Sequence, residues 1–155
     1  MYSVLFVCTG NQYRSPIAAE VFRQQLIRDG RATQWKVSSA GTWTSPGRHV
    51  LSDAVELARS FGLNIDGHIT RMLDAEILED ADLVLVMEEG HKESIQAEFP
   101  FARKKVRLLS QVIDGLLYDI PDPAKLKGET RNIINDLVGM IRDKHGNIYK
   151  ILEPV

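Results

Sequence analysis

The feature that most constrains the fold of this chain is an apolar run that is followed by a short polar loop and then by a helix. Residues 2–7 contain Val4-Leu5-Phe6-Val7 and have the length and composition of a buried strand. The segment from Cys8 to Ser15 is polar, and Pro16 then opens a stretch in which apolar residues recur at helical spacing. The pattern predicts a strand, a tight loop and a helix that Ser15 caps, with Pro16 at the first helical position.

The rest of the chain repeats this alternation of short apolar strands and helical segments. Three further strands are predicted, at 35–39, 83–87 and 105–109. Three further helices are predicted, at 51–61, after the third strand to about residue 97, and at 129–144. Such alternation is typical of an α/β protein, here a single three-layer domain over residues 1–155 with a four-stranded parallel sheet flanked by helices on both faces. Ligands of these sheets bind beyond the carboxyl ends of the strands, where the loop after the first strand lies.

The composition limits the kinds of partner that this chain is expected to bind. The chain has 155 residues, of which 44% are hydrophobic and 26% charged, and its net charge is −2. This balance gives no electrostatic reason to expect nucleic acid, and we interpret the basic cluster at 103–107 as a solvated face. No apolar segment approaches the ~20 residues of a membrane-spanning helix, and the first apolar run is too short for a signal peptide. We therefore expect a cytoplasmic protein without a membrane partner, either a monomer or a weak dimer.

Cysteine usage excludes two kinds of site. Cys8 is the only cysteine, so the chain has no internal disulfide and no cysteine-rich zinc centre. We expect neither a metal nor another cofactor. A free thiol survives in reducing compartments, which agrees with the cytoplasm.

The loop that contains Cys8 gathers groups that bind a tetrahedral oxyanion such as phosphate. Arg14 can bind two oxygens at once through its planar guanidinium, and the amides ahead of the helix face the same volume. A helix N-terminus and a neighbouring cation both favour the thiolate form of a cysteine, so Cys8 is the candidate nucleophile. Ser15 is expected to hydrogen-bond the sulfur. The predicted phosphate-binding residues are Thr9, Gly10, Asn11, Gln12, Tyr13, Arg14 and Ser15.

No single residue of this loop would be enough to identify it as a phosphate-binding loop. A lone cysteine is commonly a small core hydrophobe, and a lone arginine is commonly a surface cation. The combination is more specific. An arginine and a serine follow the cysteine after five intervening residues, and the whole segment lies between a strand and a helix. This arrangement favours a phosphate-binding loop over a chance occurrence. Gly10 and Asn11 also tolerate the left-handed backbone that such a loop needs. No Gly-Lys-Ser/Thr follows the spacer, so a nucleotide-binding P-loop is excluded.

Attack on a phosphate ester also needs a proton donor for the leaving group. Asp119 and Asp122 lie in a predicted loop at 119–123, after the fourth strand and hence on the same rim as Cys8. Prolines on both sides of Asp122 restrict its backbone. Asp-Pro pairs are also common in ordinary turns, but beside a phosphate loop Asp122 is the preferred general acid and Asp119 the reserve.

Together these motifs resemble the low-molecular-weight protein tyrosine phosphatase family over almost the full chain. The signature loop of that family matches at Cys8, Gly10, Asn11, Arg14, Ser15 and Pro16. Four further segments match in the same order, namely 38–42, Gly67-His68 with Arg71, 82–87 and Asp122-Pro123.

The resemblance implies a metal-free, two-step hydrolysis of a phosphomonoester to inorganic phosphate. Cys8 attacks phosphorus while Asp122 protonates the leaving group, and Asp122 then activates the water that cleaves the cysteinyl-phosphate. Arg14 and the loop amides hold the phosphoryl oxygens throughout. The family also implies a set of loop-bracing residues, which are Asn11, Ser39 and His68.

Two departures from the family pattern bear on regulation and substrate. Tyr13 stands where the family usually has a second cysteine, so oxidised Cys8 is predicted to have no rescue by an internal disulfide. Ala124-Lys125 follow Asp-Pro where most members carry aromatic residues that flank the phosphotyrosine ring. The candidates for the pocket wall are Tyr13, Trp43 and His49, although Trp43 is equally well interpreted as a packing residue.

A phosphorylated protein, with phosphotyrosine first, is therefore the expected substrate. A phosphoarginine phosphatase is the alternative, because a pocket without aromatic walls accepts a non-aromatic leaving group. An arsenate reductase of this fold is excluded, since it relays a disulfide through further cysteines. A catalytically silent phosphate-binding module is disfavoured, because nucleophile, arginine and acid are all present.

Overall fold

Four parallel strands form one sheet in the computed structural model, which describes residues 1–154. The strands are β1 (Tyr2–Cys8), β2 (Trp35–Gly41), β3 (Leu83–Val86) and β4 (Val106–Leu108). Their order in the sheet is β2-β1-β3-β4, and each neighbouring pair is parallel. The predicted four-stranded parallel sheet is confirmed, and every strand ends within two residues of its expected position.

The helices of the described residues are α1 (Arg14–Arg28), α2 (Ser52–Ser60), α3 (Ala75–Asp80), α4 (Glu89–Glu98), α5 (Leu109–Asp114), α6 (Thr130–Lys144) and α7 (Gly146–Leu152). Short 3₁₀ turns cover Pro100–Lys105 and Pro123–Lys125. α3, α5 and α7 have no counterpart in the sequence-based prediction. They contain six or seven residues, about two turns at most, so apolar spacing carries too little signal to separate them from loops. β4 is shorter than predicted because α5 begins at Leu109.

The start of α1 contradicts the prediction that Ser15 caps this helix. The helix already begins at Arg14, and the preceding Tyr13 makes no side-chain cap. Ser15 lies within the first turn and is fully buried, with Pro16 behind it as the third helical residue. Its hydroxyl contacts the sulfur of Cys8 and the side-chain amide of Asn11, so it is engaged in the loop rather than at the helix end.

Side chains of β1 alternate between two buried layers, as the period of a strand requires. Val4, Phe6 and Cys8 face a core that includes residues of α1, α2, α5, α6 and α7. Leu5 and Val7 face a second core that includes residues of α3 and α4. The sheet is therefore covered by helices on both faces. Cys8 is the last residue of β1, and its side chain faces the same core as Val4 and Phe6.

Backbone hydrogen bonds gather the loops beyond the carboxyl ends of the strands. The amide of Thr42, just after β2, donates to the carbonyl of Cys8 at 2.9 Å. The amide of Met87, just after β3, donates to Val7 at 3.2 Å, and the amide of Ile120 donates to Met87 at 2.9 Å. These bonds bring the loop after β1 beside the 119–123 loop. None of the helices in residues 1–154 combines the length and apolarity needed to cross a membrane.

Candidate active site

Cys8 ends β1 and is only 2% exposed. Its Sγ lies 3.0 Å from the Ser15 Oγ and accepts the backbone N–H of Asn11 at 3.3 Å. One backbone donor and one hydroxyl therefore lie within hydrogen-bonding distance of the Cys8 sulfur.

Asn11 holds together the phosphate loop, which we define as residues 8–15. It adopts a left-handed backbone, with φ of 57°. Its side-chain NH₂ donates to Ser15 Oγ at 2.8 Å and to Ser39 Oγ at 3.0 Å, while its Oδ1 accepts the amide of Arg71 at 2.9 Å. The left-handed backbone that such a loop was expected to need is therefore found at Asn11, whereas Gly10 does not have positive φ.

His68 reaches the same loop from the segment between α2 and α3. Its Nε2 lies 3.0 Å from the backbone carbonyl of Asn11, and since a carbonyl only accepts, the ring donates this bond. Burial lowers the pKa of His68 below its ordinary value of 6.5. The structure thus brings Asn11, Ser39 and His68 together around the loop, with His68 as a neutral donor.

Arg14 is 2% exposed and is aimed into the site by two fixed acceptors. One guanidinium nitrogen donates to Glu88 Oε2 at 2.6 Å and to the carbonyl of Ile120 at 2.8 Å. The other terminal nitrogen lies 3.8 Å from Asp122 Oδ2. Glu88 is a residue that the sequence reasoning missed, and the available signal was a carboxylate just beyond the end of β3, on the rim that holds the loop.

The two candidate acids occupy different places. Asp122 lines a cavity of about 590 Å³ together with Cys8 and Arg14, and its Oδ1 accepts the amide of Ala124 at 2.9 Å. Asp119 does not line this cavity. Its Oδ1 instead accepts the amide of Glu89 at 2.8 Å, at the start of α4. Asp122 therefore lies beside Cys8 and Arg14, whereas Asp119 is hydrogen-bonded to the start of α4.

The walls of this catalytic cavity combine apolar and polar groups. It is lined by Cys8, Thr9, Gly10, Gln12, Tyr13, Arg14, Leu51, Asp122, Pro123, Ala124, Lys127, Gly128 and Thr130. The side-chain oxygen of Gln12 accepts the amide of Leu51 at 3.1 Å, which fixes one side of the mouth. Burial, aided by Asp53, raises the pKa of Tyr13 above its usual 10.0, so its phenol stays protonated.

Trp43 and His49 are not among the residues that line the catalytic cavity. Trp43 is 79% exposed and borders a separate hollow with Thr44, Ser45 and Met72. His49 is also exposed. Of the three candidate wall residues, the structure places Tyr13 alone at the cavity. Among residues 1–154, no group of three or more His, Cys, Asp or Glu side chains is arranged to hold a metal ion.

Comparison with known proteins identifies the family. The family model described as low molecular weight phosphotyrosine protein phosphatase matches residues 3–153. The chain belongs to this family. It is therefore a cysteine-dependent protein phosphatase, as the loop motif implied.

Relatives with two different named activities resemble this phosphatase. A protein-arginine-phosphatase of Bacillus subtilis is 38% identical over 77% of this chain and 78% of its own length. The low molecular weight protein-tyrosine-phosphatase Etp of Escherichia coli is 32% identical over 90% of this chain and 86% of its own length.

The solved structures that match this chain also include both an arginine phosphatase and a tyrosine phosphatase. A structure of the YwlE arginine phosphatase, in which serine replaces a cysteine and the active-site serine is phosphorylated, matches with a TM-score of 0.87. It is 30% identical and covers 97% of both chains. A low molecular weight protein tyrosine phosphatase from T. tengcongensis matches with a TM-score of 0.83 and 32% identity, covering 98% of this chain and 100% of its own. Similarity of sequence and fold therefore does not select between the two substrates.

Proposed function

We propose that this phosphatase hydrolyses phosphorylated proteins through a cysteinyl-phosphate, with Cys8 as nucleophile, Arg14 as phosphate clamp and Asp122 as general acid. The observation that supports the proposal is their convergence. All three line one cavity, although they come from the end of β1, the start of α1 and a loop more than 100 residues further along the chain.

In the first step, the thiolate of Cys8 attacks phosphorus and an S–P bond forms. The bond from phosphorus to the leaving oxygen or nitrogen breaks, and protonated Asp122 donates its proton to that atom. The guanidinium of Arg14 and the backbone amides of the phosphate loop stabilise the charge on the three equatorial oxygens.

In the second step, water attacks phosphorus and gives a proton to the Asp122 carboxylate. The S–P bond breaks, its electron pair returns to sulfur, and inorganic phosphate leaves. Ser15 and the amide of Asn11 lie within hydrogen-bonding distance of the sulfur and stabilise the thiolate as it departs. Asn11, Ser39 and His68 keep the loop in the required shape in both steps.

Phosphotyrosine is the substrate that we place first. Tyr13, Leu51 and Pro123 provide apolar surface along the catalytic cavity, which suits an aromatic ring. Phosphoarginine is the second candidate, because Ala124 leaves one wall without an aromatic side chain and because relatives with that named activity match this chain. The exposed Trp43 and His49 are not proposed as walls.

The test compares wild type with Cys8→Ser on an aryl phosphate, a phosphotyrosine peptide and a phosphoarginine peptide. We expect wild type to release phosphate and Cys8→Ser to lose turnover by at least ~10⁴-fold, because no other thiol can form the intermediate. A higher kcat/KM on the phosphotyrosine peptide supports our first choice, and the reverse order supports the alternative. Turnover that survives in Cys8→Ser would contradict the mechanism.

We infer further that the enzyme acts in the cytoplasm as a monomer or weak dimer. The support for the cytoplasm is chemical: a nucleophilic thiol without a neighbouring cysteine needs a reducing compartment to stay active. Sedimentation of the purified protein over a range of concentrations measures the oligomeric state, and a stable oligomer at low concentration would contradict the inference.

A further inference from the structure

A buried histidine joins α4 to the phosphate loop. His91 is 7% exposed and lies in the first turn of α4. Its Nε2 lies 2.8 Å from the hydroxyl of Thr9, the residue after the nucleophile. Its Nδ1 faces the backbone N–H of Glu88 at 3.2 Å. The ring therefore bridges the loop after β1 and the loop after β3.

The partners of His91 fix where its proton lies. A backbone N–H only donates, so Nδ1 accepts the bond from Glu88 and carries no hydrogen. In the neutral ring the hydrogen is then on Nε2, which donates to the Thr9 oxygen. The hydroxyl hydrogen of Thr9 consequently points away from His91. Because Thr9 lines the catalytic cavity, that hydrogen is available to a phosphate oxygen or to the loop.

The same turn also supports Arg14. The Glu88 side chain accepts from the backbone N–H of His91, while the His91 ring accepts from the Glu88 amide, and this reciprocal pair caps α4. Glu88 Oε2 in turn receives the guanidinium of Arg14 at 2.6 Å. One imidazole thus contacts Thr9 directly and holds the backbone amide of Glu88, the residue whose carboxylate binds Arg14.

We propose that His91 is a positioning residue for phosphate binding, which in its neutral form orients Thr9 through one ring nitrogen and holds the backbone of Glu88, the partner of Arg14, through the other. The inference rests on the phosphatase activity proposed above and adds a residue to its machinery. His91 has no contact with the nucleophile and transfers no proton in the reaction.

Protonation would break this arrangement. A hydrogen on Nδ1 would face the N–H of Glu88, so the cap would be lost. Several charged groups surround the ring: Glu88, Asp119 and Asp122 favour its protonation, whereas Arg14 opposes it. Burial opposes protonation most strongly, and the pKa of His91 is lowered from 6.5. The positioning form therefore persists at neutral pH and is lost as the pH falls through this lowered value.

Two substitutions of His91 isolate the hydrogen bond to Thr9. In His91→Asn the amide oxygen replaces Nδ1 and keeps the cap, but no donor reaches Thr9. In His91→Gln the amide nitrogen replaces Nε2 and keeps the donor to Thr9, while the amide oxygen of glutamine at this position of a capping box still accepts from the Glu88 amide. Thr9→Val removes the hydroxyl at nearly constant volume. His145→Asn is the matched control, because His145 is also hydrogen-bonded through both nitrogens, at α6 and Asp29, far from the loop.

The measurement is calorimetric titration with inorganic phosphate, together with kcat/KM on an aryl phosphate. We expect His91→Asn and Thr9→Val each to weaken phosphate affinity by about fivefold to tenfold, the loss of one hydrogen bond. Adding His91→Asn to Thr9→Val should cost little more, since the two changes remove the same contact. His91→Gln should bind phosphate more tightly than His91→Asn, and below pH 6.5 wild type should lose kcat/KM more steeply than His91→Gln.

Three outcomes would overturn the inference. They are unchanged phosphate affinity in His91→Asn, additive losses in the double variant, and a fall in melting temperature like that of His145→Asn with wild-type phosphate binding. The titration needs no turnover, so it is independent of the proposed reaction. Absence of turnover in wild type would defeat the proposed function, while the phosphate affinities would still decide the role of His91.

Discussion

Asp119 and Asp122 belong to one loop but make different contacts. Asp122 faces Arg14 and lines the catalytic cavity, whereas Asp119 caps the first amide of α4. A general acid matters most when the leaving group is a poor one. We expect Asp122→Ala to lower kcat by ~10²–10³-fold on a phenyl phosphate and far less on a nitrophenyl phosphate. Steady-state kinetics on both esters check this prediction.

Asp119→Ala is the matched control for that experiment. It removes a hydrogen bond to the start of α4, so we expect a loss of stability of about 1 kcal/mol and the same relative effect on both esters. Equal effects of Asp122→Ala on good and poor leaving groups would show that another group donates the proton.

Single residues also mark where sequence reasoning fails. Ser15 has the composition of a helix cap, yet its hydroxyl is used by Cys8 and Asn11. Glu88 and His91 carry no motif in the sequence, although one orients Arg14 and the other contacts Thr9. Residue type predicts what a side chain can bind, but the partner is set by neighbours that are distant in the chain.

The end of β2 is packed directly against the phosphate loop. Gly41 pairs with Cys8 in the sheet, and a Cβ added there would lie 2.5 Å from the carbonyl oxygen of Thr9. The obstructing atom is backbone, so it can move only if the loop moves. We expect Gly41→Ala to destabilise the fold by about 1–3 kcal/mol. We also expect it to weaken phosphate binding, because the Thr9 peptide group forms part of the site.

Gly67→Ala is the control for this element, since nothing lies within 4 Å of a Cβ added at Gly67. Urea unfolding and phosphate titration of both variants measure the two effects. Wild-type phosphate affinity in Gly41→Ala would mean that β2 does not hold the loop in its binding shape.

Short elements were the part of the fold that pattern reasoning could not find. The helices α1, α2, α4 and α6 have between 9 and 15 residues, enough for apolar spacing to identify them, and the strands are marked by continuous apolar runs. α3 and α7 pack against the two hydrophobic cores that cover the sheet. Their boundaries depend on tertiary contacts, which a single segment does not encode.

Across the whole molecule, stability should depend on pH in two separate ranges. His68 and His91 have a pKa lowered from 6.5 by burial, so between that lowered value and 6.5 the unfolded chain binds more protons than the folded one. Their contribution is complete above pH 6.5 and is lost as the pH falls through the lowered pKa. A hydrogen bond from His145 lowers the pKa of Asp29, and a hydrogen bond from Arg31 lowers that of Glu153. The contribution of these carboxylates is lost only in stronger acid.

Thermal unfolding between about pH 2 and pH 8 measures these two ranges. We expect the melting temperature to start falling below pH 6.5, and His68→Gln to reduce that first decline. The exposed His49→Gln is the control and should leave the curve unchanged. A wild-type melting temperature that stays constant until the carboxylates protonate would contradict the role of the histidines.

The sequence by itself was enough to predict the fold class, the phosphate loop and the functional roles of Cys8 and Arg14. These predictions depend on residues that are close together in the chain: a strand, a loop in which Arg14 follows Cys8 by six positions, and a helix. The sequence already preferred Asp122 to Asp119, whereas only the tertiary structure shows that Asp122 lines one cavity with Cys8 and Arg14 and that Glu88 and His91 contact the phosphate loop. Arg14 meets Glu88 across 74 positions and Ile120 across 106. Such contacts form when separate strands end on one rim, so their partners are decided by sheet order and side-chain direction rather than by spacing along the chain.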